Sequence, residues 1–285
     1  MSAKISVVLP VLAPTPFLRA MTEFAIKTLR AHADLPFELV VVEAEGGPQA
    51  GYFDPEYWQG ARGMIICEDR ADKVVSVRAD KYLLFNPKIG GVKELNAGVD
   101  AASGEFIVST GNDVIVPPHW DTELLRVFDL YADCGVAALS AFEPGAIIGP
   151  PEVQDRVVEG MYSPFMMFRR GQRFDEAYTK IYQDSDLIMR LYGQGLRAYR
   201  SCRAHVHHLL RMTSDRVDVE RHRRELAVDE KLFYQRWGAS PLMMFGMIRY
   251  GHWVYSREHE SLTNPINLHH NPHGPDLAVD MKKGL

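Results

Sequence analysis

Apolar positions along the chain follow two rhythms. Short continuous apolar runs rich in β-branched residues stand at 5–9 and 37–42, which is the pattern of strands buried on both faces. Between them, Phe24, Ile26 and Leu29 fall at helical spacing within 22–32. Continuous apolar strands separated by helices predict a parallel sheet covered on both sides, so the first half reads as an α/β fold. The same reasoning predicts strands at 81–85, 105–110, 135–141, 165–168 and 196–208, with helices at 93–102, 120–132 and 184–192. A stretch rich in proline and glycine at 143–151 is expected to be a loop. Beyond about 211 the pattern changes to helix-like segments at 219–237 and 242–255, then a tail or arm at 258–285 rich in Pro, Asn, His and Gly. Three sections are therefore expected, 1–210, 211–257 and 258–285.

Composition narrows the class. The 285 residues are 46% hydrophobic and 24% charged, as in soluble globular proteins. A net charge of -5 argues against nucleic acid as the main partner. Cys67, Cys134 and Cys202 form no Cys-x-x-Cys pair, so a reducing, cytoplasmic setting is expected. The start, MSAKISVVLPVLAP, has no basic n-region and does not read as a signal peptide. The apolar segment at 241–254 contains Arg249 and His252 and is shorter than the roughly 20 residues of a membrane helix. Its amphipathic pattern suits packing on the parent domain, with a peripheral membrane contact at the inner face or a homo-oligomer contact as the alternatives.

Three features carry candidate chemistry. Asp113 follows a buried strand in STGNDVIVPPHW, where a carboxylate can hold a hard metal ion or form an Asx turn before the prolines. Asp184 and Asp186 stand in the first turn of the helix predicted at 184–192, as a general base or as helix caps. His205, His207 and His208 close the last predicted strand, and alternation puts His208 on the face opposite the other two. Each is a metal-ligand candidate or a polar residue with a satisfied ring.

The order of these features resembles an inverting glycosyltransferase of the GT-A fold, in family 2 of the nucleotide-sugar-dependent enzymes, over roughly 5–210. ISVVLPV resembles the family's opening strand, and FELVVVEAEGG its second, with Glu43 where an Asp usually contacts the base. In NPKIGGVKELNAGVDAASGEFIVSTGND, Asn86, Gly91, Asn96, Gly98, Gly104 and Glu105 match in order, and Gly111-Asn112-Asp113 keeps only the last carboxylate of the Asp-x-Asp signature. FDEAYTKIYQDSDLIMRL matches the acidic helix start, with Gln183 replacing Glu, and the following strand ends in histidine.

The resemblance implies a GT-A sheet, mostly parallel and Rossmann-like, flanked by helices and followed by a helical C-terminal extension. It implies a nucleotide-sugar donor, a UDP-sugar by default, and a glycan, lipid-linked or other acceptor. Donor contacts are expected from Pro10, Val11, Glu43, Gly91, Lys93, Asn96, Asn112 and Asp113. Asp184 is expected as catalytic base with Asp186 beside it, and a divalent cation, Mn or Mg, on Asp113 and His208, with His207 as alternate ligand. The arginines at 197, 200, 203, 211, 216, 221, 223 and 224 form a basic strip for a diphosphate or anionic acceptor, or a solvated helix face. The thinned signature also motivates a rival, a catalytically silent GT-A module that binds a nucleotide or glycan.

Overall fold

The run ISVVLPV forms β1 (Ile5–Val11), buried along nearly its whole length. Ile5, Val7, Leu9 and Val11 enter one apolar layer and Val8 the other, so both faces of this strand are covered. In the computed structural model the described residues are 4–13, 15–44, 79–85, 90–142, 156–159, 164–209 and 219–238, with the backbone of short strands at 62–64, 74–76, 254–256, 261–263 and 279–280.

After β1 come α1 (Pro16–His32), β2 (Phe37–Ala44), the short strands β3 (Arg62–Met64) and β4 (Val74–Ser76), then β5 (Lys81–Phe85). Helix α1 starts before the expected 22, because Pro16 fits a first turn where no N–H is needed. Thr15 Oγ1 caps that turn by accepting from Leu18 N at 3.3 Å. Next are α2 (Gly91–Ala101), β6 (Phe106–Thr110), β7 (Val114–Ile115), α3 (Trp120–Leu130) and β8 (Cys134–Phe142). The series continues with β9 (Val157–Glu159), β10 (Phe165–Arg169), α4 (Gln183–Tyr192), β11 (Arg197–His208) and α5 (Val219–Trp237).

The main sheet has the order β5-β2-β1-β6-β10-β8-β11-β7, and β9 also pairs with β11. Strands β5, β2, β1 and β6 are parallel, as the early pattern predicts. Strand β10 runs antiparallel to both β6 and β8, which makes the second half mixed. β11 returns parallel to β8 and ends antiparallel to β7, with His208 opposite Val114. The last short strands, β12 (Val254–Ser256), β13 (Ser261–Thr263) and β14 (Val279–Asp280), form a separate antiparallel sheet. Thus 254–256 is strand and not the end of a helix. The rest of the helix expected at 242–255 and the loop at 143–151 lie outside the described residues.

Two apolar layers hold the sheet. One joins it to α1 and α3 through Leu18, Ile26, Leu29, Trp120 and Leu124. The other joins it to α2, α4 and α5 through Leu95, Val99, Leu187, Ile188, Phe233 and Trp237. Gly98 sets how closely α2 lies on the strands: a Cβ there would come within 2.5 Å of Val42 Cγ2 and 2.6 Å of Val8 Cγ1. Among the described residues no helix is long and apolar enough to cross a membrane.

Glu38 ties four segments together. Its carboxylate accepts from Ser6 Oγ, from Ser103 N at 2.8 Å and Oγ at 2.9 Å, and pairs with Lys81 Nζ at 2.7 Å. Burial pushes this carboxyl up, but Lys81, Ser6 and Ser103 outweigh it and hold the group at about 2. A folded-state value below the unfolded one means that the contribution is complete above the ordinary glutamate range and is lost as pH falls towards about 2. Glu38→Gln is therefore expected to cost about 2 kcal/mol at neutral pH, less than the full shift corresponds to because solvent screens part of the interaction. The gap from wild type should close in denaturant titrations as pH is lowered through that window; a gap that persists at the acid end would refute the ionic origin.

Candidate active site at the carboxyl edge of the sheet

In a parallel sheet, ligands gather beyond the carboxyl ends of the strands. Strands β1, β2, β5 and β6 all end at one edge, and β11, parallel to β8, ends there too. Helix α2 starts from this edge after β5. Helix α4 runs back from it to the start of β11, so the first turn of α4 also belongs to this edge.

Asp113 and His208 meet here. β7 pairs with the end of β11, and Leu209 N donates to Asp113 O at 2.9 Å. The His208 Nε2 to Asp113 Oδ1 distance is 3.7 Å, with both side chains 13% exposed. An oxygen and an imidazole nitrogen facing one spot suit Mn2+ or Mg2+ if a substrate supplies further oxygens. Among the described residues no cluster of three metal-binding side chains occurs. His207 is not brought to Asp113; its ring lies 5.4 Å from the Phe142 ring on an exposed part of β11. His205 is half-buried one register step away, opposite Ser140, and its ring is pushed down by burial, by His207 and by Arg200.

Gly111 leaves room for the Asp113 carboxylate. A Cβ at this position would sit 2.6 Å from Asp113 Oδ1, the same atom that faces His208. The Asp113 carboxylate fills space that any side chain at 111 would take. Asn112 is 5% exposed and donates to Thr22 Oγ1 at 2.9 Å, tying the turn to α1.

Asn96 is also internal. At 1% exposure it donates to Phe174 O and Glu176 Oε1 and accepts from Phe174 N, so it clamps the segment after β10. Those bonds occupy both ends of its side-chain amide. Pro10 and Val11 end β1, with Val11 opposite Glu43 in register. Glu43 is buried and accepts from Tyr82 Oη. Gly91 and exposed Lys93 line a cavity of about 280 Å³ between the start of α2 and 176–179, which Arg221 and Glu225 of α5 close. In α5, Arg221 pairs with Glu225 and Arg223 with Glu220, the pattern of a solvated helix face.

The two aspartates of α4 have different surroundings. Asp184 is half-buried, and burial pushes its carboxyl up, partly opposed by bonds from the Ser185 backbone and hydroxyl. Oδ1 takes the Ser185 N–H at 2.8 Å and the Ser185 hydroxyl at 3.4 Å. Asp186 is fully buried and surrounded by donors. Arg190 Nε at 2.8 Å, Arg236 at 2.9 Å, Trp237 Nε1 at 3.0 Å and Tyr178 Oη at 3.2 Å all reach it. It joins α4 to α5 and has no open side from which to take a substrate proton. Sequence reasoning assigned no role to Tyr178, Asp229, Arg236 or Trp237. The signal was present in DEKLFYQRW, where Asp229, Phe233 and Trp237 repeat every four residues as the buried stripe of α5.

No protein-family model matches the chain, and no curated protein does. Solved structures are similar in fold. S. aureus TarS 1–349 aligns with a TM-score of 0.51 and 16% identity over 79% of this chain and 65% of that one. The same protein in complex with UDP-GlcNAc gives 0.53 and 15% over 86% and 75%. The mannosyltransferase PcManGT from Pyrobaculum calidifontis, in complex with GDP-Man and Mn2+, gives 0.56 and 15% over 87% and 69%. The chain thus spans less than two thirds of the first of these, and 45% of a longer TarS chain. It has the α/β fold of these proteins, a mixed sheet flanked by helices.

Gly111→Ala is expected to leave the melting temperature nearly unchanged, because the group it meets is the end of a rotatable side chain. A crystal structure of the variant should show the Asp113 carboxylate turned away and its distance to His208 longer than 3.7 Å. An unaltered distance would show that the turn has room for a side chain.

Proposed function

We propose that the protein is a glycosyltransferase that moves a sugar from a nucleoside-diphosphate sugar to an acceptor hydroxyl with inversion. The observation that carries this reading is the meeting of Asp113 and His208 at the edge that also presents Asp184, on a fold similar to proteins solved with UDP-GlcNAc or GDP-Man. The resemblance to family 2 supports the same assignment. Residues 1–210 form the catalytic unit in this reading, and α5 belongs to an extension packed upon it.

Asp184 is the base. Its carboxylate takes the proton of the acceptor hydroxyl as the hydroxyl oxygen forms a bond to the anomeric carbon and the bond to the diphosphate breaks. A carboxyl raised by burial is, in its ionised form, a stronger base than an ordinary aspartate. A divalent cation held by Asp113 and His208 would offset the charge gathering on the leaving diphosphate. Glu43 and the end of β1 flank the nucleoside, and Lys93 with the start of α2 faces the anionic part of the donor. The buried Asp186 positions the helix and takes no proton.

The direct test is a thermal-shift screen against UDP, GDP, dTDP and CDP, each with and without Mn2+. One diphosphate should stabilise the protein in a metal-dependent way, by roughly 2.7 kcal/mol at a hundredfold excess over Kd. Asp113→Ala should remove the metal dependence. A shift without any sugar transfer would favour the silent binding module instead.

Asp184→Asn is expected to keep that shift and lower kcat by roughly 10²-fold or more. In wild type, kcat should fall on the acid side through a value above the ordinary aspartate range, because the ionised form is the active one. Normal turnover in the variant would exclude Asp184 as base.

A further inference from the structure

The segment between β10 and α4 is mostly exposed at Glu176, Ala177, Thr179 and Lys180. Phe174 and Tyr178 are buried, but apolar burial does not hold the exposed stretch at 179–180 that follows. That stretch is held by a carboxylate from another element. Asp229 of α5 has no exposure and accepts from Thr179 N at 2.8 Å, Thr179 Oγ1 at 2.8 Å, Lys180 N at 2.9 Å and Ile181 N at 2.8 Å.

Three consecutive N–H groups converging on one anion form a cradle that sets the backbone of each contributing residue. The next residue, Tyr182, is held at φ 64°, a left-handed conformation that a non-glycine residue adopts only when its surroundings impose it. Helix α4 starts at Gln183, and Asp184 follows. A buried carboxylate is costly unless its lone pairs are taken up, so the cradle and the anion fix each other. Attachment of α5 to α4 does not by itself require this contact, since Asp186 with Arg236 and Trp237 already joins the two helices.

We propose that Asp229 is a positioning residue that sets the entry of α4 and thereby aims Asp184 at the acceptor. This rests on the glycosyltransferase reading above. Aim matters because a displacement of about 1 Å in a reacting group costs roughly 10²-fold in rate.

The test compares wild type, Asp229→Asn and Thr179→Val for release of diphosphate from a panel of UDP-, GDP-, dTDP- and CDP-sugars with Mn2+. Active protein is counted by calorimetric binding of the matching free diphosphate. Asp229→Asn should lower kcat by roughly 10²-fold, with diphosphate Kd and donor KM within about twofold. The acid limb of its kcat profile should move to lower pH, as Asp184 gains solvent and loses the effect of burial; loss of folded protein alone would not move that limb. Thr179→Val removes one bond of the four, keeps the cradle amides, and should show the same changes in smaller degree. It carries the test if Asp229→Asn does not fold. Unchanged kcat and acid limb in whichever variants fold, beside an active wild type, overturn the positioning role alone. A wild type that releases no diphosphate from any donor overturns the proposed function, and this inference with it.

Discussion

A carboxylate sealed from water stays charged only where the protein replaces every bond that water would have made. Asp186 satisfies that demand with groups from two helices and the preceding segment: Arg190, Arg236, Trp237 and Tyr178. Removing α5 would take away Arg236 and Trp237, two of its four donors, so α4 and α5 behave as one unit although they are separate in the chain. The edge of the sheet inherits its shape from this junction. Arg236 extends it by pairing with Asp175 at 2.7 Å, which fastens the segment leading to α4 from a second side. Burial around Asp186 also raises the Tyr178 hydroxyl, first by desolvation and then through the neighbouring carboxylate, keeping that phenol neutral as a donor.

Much of the fold was legible because its signals were local. Strands such as ISVVLPV and FELVVVEA are apolar on both faces, and no helix-like spacing competes with them. What escaped were elements with too few residues for a period, such as β7, and elements whose first turn looked like a breaker, such as Pro16 in α1. Composition was misleading where Val254–Ser256 lay in an amphipathic stretch that read as helix, since three-residue strands owe their form to a partner strand.

The site was legible in a different way. Asp113 and His208 are far apart in sequence, and only the order of motifs suggested that they meet. Motif order could not separate residues that hold ligands from residues that hold the fold. Asn96, Asn112 and Gly98 match the family pattern, yet each is used inward: Asn96 on Phe174, Asn112 on Thr22, Gly98 against Val8 and Val42. Asp186 lies beside Asp184 in the same acidic turn, and its partners come from α5. Side-chain direction across a helix, together with distant partners, decided these cases, and neither is written in local spacing.

The anchors of the edge also impose an order in time. Asn112 reaches back 90 residues to Thr22, whereas Asp186 reaches forward 51 residues to Trp237. A growing chain can therefore close the Asn112 side of this edge long before it can close the α4 side. Until the last turn of α5 leaves the ribosome, Asp186 has Arg190 and Tyr178 but lacks Arg236 and Trp237 on the face that must be buried, and docking of α4 is disfavoured. Helix α5 therefore acts as the clasp that closes the α4 side of this edge, and a nascent chain halted before it is a natural target for chaperones and proteases.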